Sequence, residues 1–135
     1  MMKKLFLTAL ALVLCLSVTS CGTTDMNVET GVRHTVYELD DGEMISFYMT
    51  SDVKPQGVWD HSLDGDVFET FAETEETKSY GTFGSQSVNY KTLILKPTKE
   101  GEATITFTLE KTGETKEFNL TVTKDENGTL RIKAE

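Results

Sequence analysis

From residue 31 onward apolar and polar residues alternate in short runs, and no stretch has the i, i+3, i+4, i+7 spacing of an amphipathic helix over three turns. Runs at 32–39, 43–50, 57–62, 67–73, 88–95, 103–109, 118–122 and 129–133 read as strands. In the second, Ile45, Phe47 and Met49 fall on one face. The run Ala103, Ile105, Phe107 and Leu109 is the cleanest two-residue alternation in the chain. Turn chemistry separates the runs: Asp40-Asp41-Gly42, Asp64-Gly65-Asp66, Lys111-Thr112-Gly113 and Asn127-Gly128. Residues 74–77 and 80–85 read as one long polar loop. Seven or eight strands at this spacing predict an all-β fold, an immunoglobulin-like antiparallel β-sandwich over 31–135.

The first thirty residues have a different texture. Lys3 and Lys4 precede an apolar run of 12 residues, Leu5 to Leu16, and Val18-Thr19-Ser20-Cys21 follows. The run is too short to cross a bilayer, which takes ~20 residues. The pattern resembles a bacterial lipoprotein signal, which implies cleavage after residue 20 and lipid attachment at Cys21. Residues 21–30 are small, polar and patternless, and read as a flexible tether. The expected protein is thus held at the bacterial cell envelope, its contact with the membrane made through the lipid on Cys21.

Charge and cysteine content narrow the function. The whole chain has 13 Lys+Arg against 22 Asp+Glu; without Lys3 and Lys4 the balance is 11 against 22, a net charge of −11. A nucleic-acid partner is excluded for want of a basic surface. Cys15 leaves with the signal and Cys21 carries lipid, so neither a disulfide nor thiol catalysis is expected. Asp60, Asp64, Asp66 and Glu69 do not follow calcium-loop spacing, and His34, His61, Met44 and Met49 form no copper-binding pattern. No nucleophile elbow, zinc-protease helix or phosphate-binding loop occurs. The chain reads as a monomer without metal or cofactor, and not as an enzyme.

Three segments carry a family resemblance. Lys54-Pro55-Gln56-Gly57-Val58-Trp59 is similar to a loop of the N-P-T-T-G kind that leads into a strand with Trp. Gly81-Thr82-Phe83-Gly84 is similar to a G-x-G-G loop. The stretch from Leu95 through Pro97, Gly101, Ala103 and Ile105 to Phe107 follows a strand–turn–strand pattern. Together they resemble the chagasin-type inhibitors of papain-like cysteine proteases, over about 80 of the 115 residues beyond the signal. The resemblance implies reversible, competitive inhibition by three loops at one end of the sandwich. It assigns protease contact to Lys54, Pro55, Gln56, Gly57, Gly81, Thr82, Phe83 and Gly84, with Lys111 in the third loop. That loop lacks the family's R-P-W, and Phe83 puts bulk where the family has glycine. Trp59 fits either a core position or an exposed anchor, and Phe83 either an exposed contact or packing under its own loop. The alternative function is a surface-exposed binding or structural module without inhibition, favoured if the short hairpin at Lys111 stands clear of the other two loops.

Overall fold

The alternation of Ile45, Phe47 and Met49 against Met44, Ser46 and Tyr48 gives one strand two faces, and the first must be buried against a second layer. The computed structural model describes residues 27–135; the signal segment 1–20, Cys21 and the tether as far as residue 26 lie outside the described residues. Eight strands form: β1 Gly31–Leu39, β2 Gly42–Asp52, β3 Trp59–Asp64, β4 Phe68–Tyr80, β5 Gln86–Pro97, β6 Gly101–Leu109, β7 Thr115–Lys124 and β8 Leu130–Ala134. One helical turn, α1 Val53–Gln56, links β2 to β3, and a 3₁₀ turn at Thr82–Gly84 links β4 to β5.

The strands make two four-stranded antiparallel sheets, β1-β2-β5-β4 and β3-β6-β7-β8. This is the strand order of an immunoglobulin constant-type sandwich, with β8 added at the edge of the second sheet. The inward faces supply Ile45, Phe47 and Met49 from β2, Leu93 and Leu95 from β5, Ile105, Phe107 and Leu109 from β6, and Leu120 and Val122 from β7. Phe47 and Phe107 meet across the sandwich with ring centroids 5.1 Å apart, and Phe118 packs on both. Each such side chain fully withdrawn from water contributes roughly 1.5–3 kcal/mol, and these contacts join the two sheets.

Trp59 is a core residue, fully buried, and its Nε1–H donates to the carbonyl of Thr50 at 2.9 Å. Beside it Lys91 of β5 reaches across the layers and donates to the Trp59 carbonyl at 2.8 Å, with Glu75 of β4 3.5 Å from the same amine. The two sheets are therefore tied by polar contacts at this end.

The fourth strand corrects the sequence reading. Residues 74–77 are not loop: β4 runs on to Tyr80, paired residue by residue with β5. A bulge between Thr70 and Ala72 shifts the register, and Phe71, at the bulge, is exposed.

Candidate functional site

Every link between strands at the Trp59 end of the sandwich is short, and three of them touch. The first spans 53–58. Its turn α1 takes Pro55 because a first helical turn has no partner for that nitrogen in any case. The Gly57 N–H closes the turn on the Val53 carbonyl at 2.8 Å. Gln56 is the junction of the loop: its Oε1 accepts the Asp52 N–H at 2.9 Å and the Thr30 hydroxyl at 2.7 Å.

The third loop, 110–114, is laid directly on the first. The Glu110 N–H donates to the Val58 carbonyl at 3.0 Å, and the Lys111 N–H to the Gln56 carbonyl at 2.9 Å. Lys111 then folds back, its Nζ donating to the Lys54 carbonyl at 2.9 Å. Gly57 permits this approach: its φ of 78° suits glycine, and a Cβ there would lie 2.8 Å from the Cβ of Glu110. The hairpin at Lys111 does not stand clear of its neighbours.

The second loop, 81–85, joins from the other sheet edge. Lys54 Nζ donates to the Ser85 carbonyl, and Gln86 Nε2 to Asp52 Oδ2 at 3.2 Å. Lys54 and Lys111, which the sequence assigned to protease contact, thus serve to lace the loops, one to the second and one to the third. Gly81, Thr82, Phe83 and Gly84 form a tight turn in which Gly84 N–H meets the Gly81 carbonyl at 3.3 Å. Phe83 has φ 58° and ψ 31°, and among the described residues it is the non-glycine with positive φ. For an L-residue the left-handed conformation costs about 1–2 kcal/mol. Its side chain is fully exposed, so packing does not offset that cost.

All the protease-contact residues read from the sequence therefore lie at one end, in three loops of which the first is bonded to each of the other two. Lys54, Pro55 and Gln56 form the first with Gly57; Gly81, Thr82, Phe83 and Gly84 form the second; Lys111 stands in the third. Cys21 lies outside the described residues. The three loop segments carry Lys54 and Lys111 against Glu110 and Glu114, so they balance to neutral on a strongly acidic domain, with Asp52 beside them.

The structure adds a feature that sequence reasoning missed. All four tyrosines, Tyr37, Tyr48, Tyr80 and Tyr90, share the outward parity of the β1-β2-β5-β4 sheet. Tyr48 and Tyr90 stack at 6.4 Å, and the Tyr80 and Tyr90 hydroxyls are 3.2 Å apart. Burial and the bond to Tyr80 push the Tyr90 phenol well above its usual range, and burial raises Tyr48 too. Next to them, segment 27–30 walls a groove of about 510 Å³ whose floor includes Tyr48, Thr50, Val88 and Tyr90, with Arg33 and Lys116 at its margin. The alternation of β2 signalled the outward Tyr48; only the β2–β5 register reveals that Tyr90 lies beside it.

Among the described residues no group of three or more His, Cys, Asp or Glu side chains is placed to hold a metal ion, and no helix is long and apolar enough to cross a membrane. Fold and loops define an immunoglobulin-like β-sandwich with three loops gathered at one end. Comparison with family models, with characterised proteins and with solved structures gives no match.

Proposed function

We propose that this chain is an envelope lipoprotein that inhibits papain-like cysteine proteases reversibly and competitively, by inserting its three-loop end into the active-site cleft. The observation that carries the reading is Phe83: a fully exposed aromatic, held in a strained backbone conformation in the second loop. Strained residues persist where the surroundings impose them, and they gather at binding sites. An exposed aromatic projecting from a loop bonded to its neighbour by Lys54 is the kind of residue that dominates tight protein interfaces. The bracing lowers the entropy lost on binding, because the loops are already fixed to one another. Reversible, competitive binding is the mode that the chagasin-type resemblance implies.

The test is a titration of a soluble form beginning at Asp25 against papain, followed with a fluorogenic peptide substrate. Inhibition in the sub-micromolar range that raises KM and leaves kcat unchanged supports the reading. A folded domain without effect at tens of micromolar rejects it. The second reading, a binding module without inhibition, would then lead. It is favoured by the third loop, which has no aromatic or Arg anchor and whose Lys111 amine is bonded within the loops.

A further inference from the structure

The chain enters the sandwich at the same end as its three loops. Thr30, the residue before β1, bonds to Gln56 of the first loop at 2.7 Å. It lies nine residues after Cys21. Whatever path those residues take, they reach at most ~30 Å at ~3.3–3.6 Å per residue. If Cys21 carries lipid, the loop end is the part of the domain nearest the membrane.

The chemistry of that end suits a bilayer better than the acidic edge at β4 does. Phe83 projects into solvent without packing against the domain, and Phe is among the side chains that interfacial segments bury at the headgroup and acyl boundary. The loops balance two lysines against two glutamates, whereas β4 presents Glu69, Glu73, Glu75 and Glu76 along one edge. The other exposed aromatic, Phe71, lies nine residues before Tyr80, the loop end of β4, about 30 Å along the strand at ~3.3 Å per residue. A lipid chain and one inserted aromatic act together, since anchoring strengthens when two weak signals are joined.

We infer that the anchored protein rests its loop end on the bilayer, with Phe83 in the headgroup boundary, so that the membrane masks the loops. The inference rests on the lipid-anchor reading of Cys21, and its regulatory consequence rests on the inhibitor reading. A folded partner of about 200 residues is about 40 Å across, wider than the gap the tether can open beneath an upright domain. A protease therefore meets the loops only when the domain tips over or leaves the membrane. Inhibition is weak in the anchored form and strong in the released one.

The experiment uses the mature lipid-bearing chain in phosphatidylcholine vesicles with and without brominated acyl chains. Phe83→Trp and Phe71→Trp are compared with the parent, whose buried Trp59 sets the background. Quenching by bromine severalfold greater for Phe83→Trp than for Phe71→Trp is expected. Equal quenching of the two, or none, overturns the inference, as does a mass showing Cys21 unmodified. Papain inhibition is then read for anchored and lipid-free protein. At least a tenfold loss of potency on vesicles, recovered in detergent, is expected. Equal potency overturns the masking. Failure of the lipid-free form to inhibit rejects the protease reading and leaves the quenching result to judge the docking.

Discussion

Phe83 is placed where a glycine would cost less. Replacing it relieves about 1–2 kcal/mol of left-handed strain and returns about 0.5–1 kcal/mol through the greater freedom of glycine in the unfolded chain. Phe83→Gly is therefore expected to leave stability unchanged or raise it by up to about 1.5 kcal/mol, while, on the proposed inhibitor reading, weakening protease binding at least tenfold. Urea unfolding beside an inhibition assay reads both. A loss of more than about 1 kcal/mol would mean that the ring packs on the domain after all. The tyrosines give a second residue-level expectation. Tyr48 and Tyr90 have raised phenol pKa values, chiefly through burial. A raised folded pKa means stability that is complete below the unfolded value near 10 and lost as pH climbs through the folded one. Tyrosinate absorbance in an alkaline titration should show a delayed fraction, from Tyr48 and Tyr90, that ionises with unfolding. A single titration step near 10 would contradict the burial of this pair.

The elements show where sequence reasoning ran out. Alternation located β2 and β6 because their inward positions meet an apolar core, and the Asn127-Gly128 pair marked the last hairpin. It failed on β4 beyond Glu73. There the inward side chains include Glu75 and Thr77, and both face Asn89, whose Nδ2 donates to each at 3.0 Å. A strand that is polar inside and outside has no two-residue hydrophobic signal, and it reads as loop. The candidate site was legible as segments carried by a family resemblance, at Lys54–Gly57, Gly81–Gly84 and Lys111. That Lys54 and Lys111 bind loop to loop was not legible, because the partners are backbone carbonyls far apart in sequence. Gly57 is the hinge of that arrangement. Gly57→Ala meets both an unfavourable φ and the Cβ of Glu110, and should cost about 1–3 kcal/mol. Thermal unfolding would measure it, with faster amide exchange at 110–114 as the local sign. An unchanged melting temperature would show that the third loop is not held against the first.

The molecule as a whole has its two ends built differently. At the end opposite the loops, Arg131 is bonded to Asp125 at 3.0 Å and to Glu38 at 3.1 Å, with Glu43 at 3.7 Å. The Thr129 N–H, together with Arg131, holds the Asp125 carboxyl below its usual range. A lowered carboxyl pKa gives stability that is present above the unfolded value near 4 and lost as pH falls through the folded one. Acid weakening should therefore start below about pH 4, and Asp125→Asn should flatten that part of the profile. Denaturant titrations at a series of pH values decide it; identical acid limbs for both proteins would remove Asp125 from the account. The opposite end carries the loops and Phe83, and the separation lets loop variants be tested without disturbing the Arg131 network.

The most direct measurement is the papain inhibition constant of Phe83→Asp beside that of the parent, with both unfolding midpoints determined. The account predicts inhibition by the parent, a loss of at least tenfold in the variant because a charge replaces the inserted ring, and midpoints that agree. Equal inhibition by the two proteins, or none by a folded parent, would contradict it.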